Sequence, residues 1–190
     1  MEDIIRCTWC GNDPLYMTYH DQEWGKVVFD DQQLFEFLIL ESAQAGLSWL
    51  TILRRRDGYR RLFADFDAVR VANFTAEDVE RLLLDPAIIR NRSKIVSAIQ
   101  NAKLFLAIQQ EFGSFYNYLY SFMPGHTNIS NLIHSMSDMP THSKESDAIS
   151  KDMKKRGFKF FGTTICYAYM QAVGMVNDHL LACTFRNPEV

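Results

Sequence analysis

The spacing of apolar residues after position 30 predicts an amphipathic helix. An aspartate pair at positions 30 and 31 is able to cap its start, and Ala45-Gly46 is expected to end it. Ser48 is then placed to cap a second helix that runs into an arginine-rich block. Residues that recur every three to four positions form one face of the first helix. They are Leu34, Phe35, Leu38, Glu41 and Ser42.

The same period predicts several helices further along the chain. Thr75 and Asp78 have the three-residue spacing of a capping box, ahead of an apolar stripe. A long amphipathic helix is predicted from about Ser93 to a closing Gly113. Three shorter helices are predicted over Ser114–Met123, Lys144–Arg156 with Gly157 as its end, and Thr163–Val173 with Gly174 as its end.

No segment alternates between apolar and polar residues, and no internal repeat occurs, so the predicted fold class is all-α. Helices joined by short turns pack as a globular bundle, here a single domain over residues 1–190. The first 30 residues show no sustained period and predict an irregular segment that lies against the C-terminal one. The Gly, Asn, Ser and His residues at positions 124–143 predict a surface loop. We expect this loop to expose three histidines that have no assigned role, His126, His134 and His142.

Composition and charge narrow the class of protein. The 47% of apolar residues is enough for a substantial core, and the first 15 residues lack the apolar run of a signal peptide. No apolar run approaches the roughly 20 residues that cross a bilayer. We therefore expect a cytoplasmic protein without membrane contact. The formal net charge of −3 argues weakly against nucleic acid as a partner, but three basic blocks, at 54–61, 90–94 and 151–159, are compatible with a phosphate-binding face or with ordinary solvated helix surfaces.

Cysteine and histidine at both ends of the chain suggest a metal site. Two ligand sets remain open from spacing alone. His179 and Cys183 are four residues apart, and on a helix they would share one face. Cys7 with either His20 or Cys10 would complete the site, since Cys7-x2-Cys10 is itself a zinc half-site. Simple burial of these side chains is the alternative.

Two further clusters are candidates for chemistry. Glu41 lies on an apolar helix face, where a carboxylate needs partners or a function. Aromatic residues surround it in the sequence, and they suit either a core or a binding pocket. They are Trp9, Tyr19, Trp24 and Trp49. The segment 154–166 reads KKRGFKFFGTTIC, in which glycines flank a short apolar turn before a helix start. Such a turn binds phosphate through backbone amides, or it is an ordinary connection between helices.

Taken together, these segments resemble the 3-methyladenine DNA glycosylase I family, and the resemblance covers almost the whole chain. Five motifs in the same order carry it, which is far more specific than any one of them. They are DPLYMTYHDQEWG (Asp13 to Gly25), ESAQAGLSWLTIL (Glu41 to Leu53), IIRNRSKI (Ile88 to Ile95), KKRGFKFFGTTICY (Lys154 to Tyr167) and MQAVGMVNDH (Met170 to His179).

The resemblance implies a helix-hairpin-helix fold, with the motif at about 145–174, and one structural zinc that joins the ends 1–25 and 175–190. Cys10 falls where the family motif asks for no ligand. Four protein ligands leave no position for a reactive water, so the metal is expected to be structural. By this likeness the zinc ligands are Cys7, His20, His179 and Cys183.

The resemblance also implies excision of 3-methyladenine from double-stranded alkylated DNA. A base that carries positive charge leaves readily, so the enzyme chiefly has to flip it out and recognise it. Trp49 is expected to stack on the base and Trp9 to line the wall. Glu41 is expected to accept hydrogen bonds from the adenine edge, and Tyr19 to complete the polar contact, which makes these two the catalytic candidates.

One departure from the wider superfamily bears on mechanism. Many members have an aspartate two residues before a histidine, whereas this chain has Asn177 before His179. An amide is neither a general base nor a charge that stabilises an oxocarbenium ion. No lysine lies between Gly162 and Asp178, where a Schiff-base nucleophile would be expected. We therefore expect a monofunctional enzyme that leaves an abasic site and does not cut the strand.

The likeness assigns DNA contacts to two segments. The turn with Gly157, Gly162, Thr163 and Thr164 is expected to bind backbone phosphate, and Gly46 and Leu47 are expected to fill the gap left by the flipped base.

We expect the protein to be a monomer. Three alternatives remain: a non-catalytic DNA-binding module, a broader glycosylase that also removes 7-methylguanine, and a zinc-stabilised interaction domain.

Overall fold

The computed structural model describes residues 4–186, and within them the chain is mostly helical, as predicted. Residues 1–3 and 187–190 of the expected zinc-binding ends lie outside the described range. The helices in chain order are α1 (Pro14–Gln22), α2 (Asp31–Gln44), α3 (Trp49–Leu53), α4 (Arg56–Leu62), α5 (Ala68–Ala72), α6 (Ala76–Leu84), α7 (Arg92–Phe112), α8 (Phe115–Tyr120), α9 (Lys144–Arg156) and α10 (Thr163–Ala172). Two short strands are β1 (Ile129–Ser130) and β2 (Val176–Asn177).

Local capping chemistry sets the predicted helix boundaries. The Asp30 side chain accepts from the Gln33 amide at the start of α2, and Ser48 caps α3 in the same way. Thr75 and the Asp78 carboxylate form the predicted reciprocal capping box of α6. Gly113 closes α7 and Gly157 closes α9, both in the left-handed conformation that glycine adopts without strain.

Helix α2 lies at the centre of the core. Every residue from Leu34 to Ala43 is buried, and α2 packs against α3, α7, α8 and α10. A helix that is apolar on nearly all sides is stable only when neighbours cover it, which explains this central position. Glu41 is therefore carried into the interior by the helix that holds the fold together.

The structure corrects three expectations. Residues 14–22 form α1, with Pro14 at its first position and Asp13 as its cap, so this part of the N-terminal segment is not irregular. The helix predicted after Ser48 breaks at positions 54–55 into α3 and α4. The fold is not purely helical, because β1 and β2 form a short parallel pair.

The histidine and cysteine near the C-terminus do not lie on a helix, which is a further correction. His179 and Cys183 occupy a turn that follows β2. The segment around β1 pairs with this turn, because the Leu181 amide donates to the Ile133 carbonyl at 2.8 Å. The loop expected at 124–143 is thus attached to the end of the described chain by backbone hydrogen bonds.

The arginine block at 54–61 is largely paired inside the molecule. Arg56 is buried and forms ion pairs with Glu23 and Glu36 at 2.6 and 2.5 Å. Arg54, Arg60 and Arg61 also pair with carboxylates. The ion pairs of this block therefore connect α1, α2 and α4. Its charge density alone would suggest an unpaired, solvated surface instead. Within residues 4–186, no helix combines the length and apolar character needed to cross a membrane.

Candidate active site and adjoining metal centre

A cavity of about 190 Å³ opens between α1, α2, α3 and α10. It is small compared with the roughly 300–1,000 Å³ of pockets for drug-sized ligands, and it suits a single small ring system. The residues that line it are Trp9, Tyr16, Tyr19, Trp24, Glu41, Gln44, Trp49, Met136, Met139, Ala168 and Gln171.

The predicted pocket residues come together from separate parts of the chain. A 3₁₀ turn at Thr8–Cys10 supplies Trp9, and α1 supplies Tyr19. The C-terminal part of α2 supplies Glu41, while Trp49 is the first residue of α3. The Tyr19 and Trp49 rings lie 5.5 Å apart, so the aromatic residues form a continuous wall.

Two indole groups in this wall have unmet hydrogen-bonding capacity. Within the described residues, the buried Nε1 atoms of Trp9 and Trp49 have no hydrogen-bond partner. Buried donors are nearly always paired, so unpaired donors on the wall of a cavity indicate a place where a ligand supplies the acceptor. The pocket therefore has the features of a binding site as well as those of an aromatic core.

Glu41 is the acidic group of the pocket. Its side chain is 3% exposed, and burial raises its pKa from 4.5 to about 8. No ion pair or hydrogen bond to its carboxyl occurs within residues 4–186. A buried carboxyl without partners is costly, and a cationic ligand would reverse that cost by favouring the ionised form.

The tyrosines of the pocket keep their protons. Burial, reinforced by the nearby Glu41 carboxyl, raises the pKa of Tyr19 well above its usual value. Burial also raises the pKa of Tyr16 to about 12. Both hydroxyls can therefore act as hydrogen-bond donors at neutral pH.

Sequence reasoning missed half of the pocket. Tyr16 lies one helical turn from Tyr19, so its place would have followed had α1 been recognised as a helix. Gln171 and Ala168 project from one face of α10, whose sequence carries no sign of a pocket. Met136 and Met139 come from the segment beyond β1, and only tertiary packing brings them to the cavity.

Beside the pocket, four side chains form a compact cluster of potential metal ligands. One ligand atom from each of Cys7, His20, His179 and Cys183 lies within 4.8 Å of the others, and all four residues are buried. Cys10 lies outside the cluster, and its thiol donates to the Cys7 carbonyl at 3.1 Å. The geometry therefore selects one of the two ligand sets that spacing left open.

Hydrogen bonds around the cluster suit a metal site. The Leu180 amide donates to the Cys7 sulfur at 3.3 Å. A hydrogen bond from Cys7, with help from His179 and His20, lowers the pKa of the Cys183 thiol. A deprotonated sulfur beside imidazole nitrogens is the donor set that zinc prefers, so these residues fit the metal.

The segments expected to contact DNA lie at the surface. Leu47 is 37% exposed in the turn after α2, and Gly46 there has a φ of 81°. Gly157 ends α9, and Gly162 precedes α10 with open space beside it. The Thr163 hydroxyl, however, donates to Asp147, so its side chain is already engaged within the protein. Thr164 is exposed.

Comparison with known proteins agrees with this architecture. The family model described as methyladenine glycosylase matches residues 9–187. The chain belongs to the methyladenine glycosylase family. It is 49% identical to DNA-3-methyladenine glycosylase 1 of Escherichia coli strain K12, over 94% of this chain and 95% of that protein. It is 44% identical to DNA-3-methyladenine glycosylase of Haemophilus influenzae, over 94% and 96%.

Solved structures of the methyladenine glycosylase family share the fold. A crystal structure of 3-methyladenine DNA glycosylase I superposes with a TM-score of 0.91 at 48% identity, covering 95% of this chain and 98% of that one. A variant of such an enzyme, in complex with 3-methyladenine, superposes with a TM-score of 0.92 at 36% identity, covering 96% and 97%. The enzyme class expected from the sequence, a hydrolase of N-glycosyl bonds, is thereby confirmed.

Proposed function

We propose that this enzyme excises 3-methyladenine from alkylated double-stranded DNA by hydrolysing the N-glycosidic bond. The observation that carries the proposal is Glu41, a buried carboxyl without a partner among the described residues, set in an aromatic cavity. A cationic aromatic base is the ligand that such a pocket fits best. Family relatives named for 3-methyladenine, and the complex of one of them with that base, support the choice.

The aromatic wall and Glu41 act on different parts of the base. Ring faces attract a cation, and the attraction increases when water is excluded. In the empty pocket at pH 7, a pKa of about 8 leaves Glu41 mostly protonated. The positive charge of an entering base lowers this pKa, so the carboxylate forms against the ligand and accepts from its amino edge. Tyr19 completes the polar contact with the base, Trp49 stacks on it and Trp9 lines the wall of the pocket.

Catalysis relies on the lability of the cationic base. Asn177 is buried at the position where many superfamily members have an aspartate, and its amide supplies no negative charge. No lysine occurs from Thr163 to Asn177, so no amine nucleophile is available in that segment. The enzyme therefore releases the free base, leaves an abasic site and does not cleave the strand. The same lack of assistance disfavours 7-methylguanine as a substrate.

DNA binding is assigned to two surface segments. The turn from Gly157 to Gly162 and the start of α10, as a helix-hairpin-helix, offer backbone amides to a phosphate, while Thr164 and nearby lysines face solvent. Leu47 in the turn after α2 occupies the space that the flipped nucleotide vacates. The paired arginines at 54–61 contribute less, so affinity for undamaged DNA is modest and salt-dependent.

One structural zinc joins the two ends of the chain. Its ligands are Cys7, His20, His179 and Cys183, and with four protein ligands it supplies folding free energy and no reactive water. The pocket and the cluster both form within one chain, so the enzyme is expected to work as a monomer. A cytoplasmic location remains the expectation.

Release of bases from methylated duplex DNA tests the proposal. Zinc-replete enzyme is incubated with duplex DNA treated with a radiolabelled methylating agent, and the free bases are separated by chromatography. We expect release of 3-methyladenine, retention of 7-methylguanine and intact strands. Absence of any release would refute the catalytic proposal. Glu41→Gln separates an enzyme from a binding module, because it should weaken base release by an enzyme and leave the duplex binding of a module unchanged.

A further inference from the structure

A second buried carboxyl, Asp178, lies directly behind the pocket. Asp178 is fully buried and accepts three hydrogen bonds. The donors are the Tyr167 hydroxyl at 2.8 Å, the Gln171 amide nitrogen at 2.7 Å and the Asn131 amide nitrogen at 2.7 Å. Of these three donor residues, Gln171 is the one that also lines the cavity.

The contact with Asp178 fixes the orientation of the Gln171 amide. An amide nitrogen carries only donors and an amide oxygen only acceptors, so the nitrogen has to face a carboxylate. The reverse orientation would set two acceptors against each other beside Asp178 Oδ2. The Gln171 oxygen is therefore directed away from Asp178, and no hydrogen bond to it occurs within residues 4–186.

This oxygen is available to the pocket. Gln171 and Ala168 are one helical turn apart on α10, and both line the cavity. Helix α10 packs on α2, which supplies Glu41 to the same cavity. We infer that Gln171, oriented by Asp178, is a specificity-determining residue whose carboxamide oxygen selects bases with an amino group at the 6-position.

The chemistry of the base edge explains the selection. Adenine derivatives present two N–H donors at the 6-position, whereas 6-oxo purines present an acceptor there. With both the Glu41 carboxylate and the Gln171 oxygen as acceptors, a 6-amino base is paired and a 6-oxo base meets repulsion. A site that relies on such a hydrogen bond discriminates strongly, because the wrong ligand leaves buried polar groups unpaired.

The inference rests on the proposed function, and one experiment separates the two. The ligands are free 3-methyladenine and 3-methylhypoxanthine, which differ in the amino or oxo group at the 6-position and in one ring N–H that accompanies the oxo group. Their affinities for zinc-replete protein are measured by quenching of the intrinsic fluorescence of the pocket tryptophans. If the wild-type protein does not bind 3-methyladenine, the proposed function itself is in error.

Gln171→Leu removes the acceptor and keeps the size of the side chain. We expect affinity for 3-methyladenine to fall about tenfold, in the range for one hydrogen bond. Affinity for 3-methylhypoxanthine should hold or rise, so that the ratio of the two affinities falls at least as much. If the leucine variant does not fold, Gln171→Met, with its more adaptable side chain, serves the same purpose.

Asp178→Asn tests the orienting role. An asparagine at this position can donate to the Gln171 oxygen, which allows the glutamine amide to reverse and present its nitrogen to the pocket. We expect the affinity ratio to shift toward 3-methylhypoxanthine. Tyr167→Phe is the matched control, because it removes another donor from the same Asp178 oxygen and leaves Gln171 in place; its ratio should equal that of the wild type. Zinc content, measured for each variant, checks that the neighbouring His179 still binds metal.

The ratio of affinities decides the outcome. A wild-type ratio in the folded Gln171 variant would overturn the specificity role, whatever the loss of stability. Equal ratios in the Asp178→Asn and Tyr167→Phe variants would overturn the orienting role. The first result would reduce Gln171 to a structural link between α10 and the turn after β2, and the second would remove Asp178 from the account of its selectivity.

Discussion

Asp21 Oδ1 lies 2.8 Å from Nδ1 of its neighbour His20, whose Nε2 faces the Cys183 sulfur at 3.6 Å. The carboxylate thereby fixes the imidazole with its proton on Nδ1 and its lone pair on the side of the cysteines. Arg6 donates to the same carboxylate at 2.7 Å and holds it in place. The contact adds a second layer of residues, Asp21 and Arg6, behind the cluster of potential metal ligands.

The first prediction concerns this second layer. Asp21→Ala should lower zinc affinity by about 10- to 100-fold, the usual effect of losing a carboxylate behind a histidine ligand. Competition with a colorimetric chelator measures it. Asp57→Ala is the control, since the Asp57 side chain is 98% exposed and lies outside the cluster. Equal zinc affinities of the two variants would contradict the role of Asp21.

The second prediction links Glu41 to stability. A carboxyl whose pKa rises from 4.5 unfolded to about 8 folded retains its proton longer in the folded state, so stability falls as pH rises between these values. The penalty approaches about 5 kcal/mol above pH 8, at about 1.4 kcal/mol for each pKa unit. Glu41→Gln should therefore be more stable than the wild type at pH 9, by several kcal/mol.

Denaturant unfolding at pH 4.5 and pH 9 provides the measurement. At pH 4.5 the two proteins should differ little from this cause. The cluster of Cys7, His20, His179 and Cys183 is the same in both proteins, so its contribution cancels in the difference between variant and wild type. A difference that does not change with pH would show that burial does not perturb Glu41.

The third prediction is the pH profile of catalysis. If the ionised Glu41 is the active form, kcat/KM for base release should rise with pH and level off above about 8, the pKa of the free enzyme. Below that value the slope should approach about tenfold for each pH unit. Rates measured under limiting substrate from pH 6 to 9 test this, and a flat profile would exclude Glu41 ionisation as the controlling step.

The fourth prediction concerns the loop that carries Met136 and Met139. Its backbone is hydrogen-bonded to the turn with His179 and Cys183 through Leu181 and Ile133. Removal of zinc should loosen this turn, and the pocket wall formed by the two methionines should loosen with it. Hydrogen exchange followed by mass spectrometry should show faster exchange at 129–139 after chelation, with α7 as the internal reference. Unchanged exchange at 129–139 would mean that the loop holds its place without the metal.

The fifth prediction concerns Lys94, whose ammonium group donates to the carbonyls of Ala43 and Ala45 at 2.7 Å each. These bonds hold the end of α2 where the turn with Leu47 begins. Lys94→Met should slow excision from duplex DNA about tenfold while leaving the affinity for free 3-methyladenine unchanged, because the turn acts on the strand and not on the base. Lys103→Met, at an exposed position on the same helix, is the control for the lost charge.

Equal loss of duplex excision and free-base binding in the Lys94 variant would place its effect in the pocket instead. Comparison at several salt concentrations adds a check, since a lysine that only contacts phosphate would change the salt dependence as well.

Local signals account for what the sequence predicted well. The caps at Ser48 and Thr75 and the glycine closures act within a few residues, so the helix boundaries followed from the sequence. Glu41 stood out because a carboxylate on an apolar face is rare. Helix α1 was not predicted, because its aromatic residues line a cavity and its sequence therefore lacks a clear amphipathic period.

Features that depend on long-range contacts could not be predicted. Spacing did not choose between Cys10 and His20 as a metal ligand, since that choice depends on where α1 lies relative to the turn after β2. The place of Gln171 in the pocket follows from the packing of α10 on α2. The pairing of Arg56 with Glu23 and Glu36 similarly joins elements whose sequences give no sign of each other.

The contact between Cys7 and the turn at His179 to Cys183 has a consequence for synthesis on the ribosome. The segment with Trp9 and α1 is made before the side chains that hold it, since His179 follows Cys7 by 172 positions in the chain. While the chain is still growing, the aromatic wall of the pocket lacks its anchor and exposes tryptophan and tyrosine to solvent. Such nascent chains are a target for chaperones, and the pocket can be completed only after the turn at His179 to Cys183 has been translated.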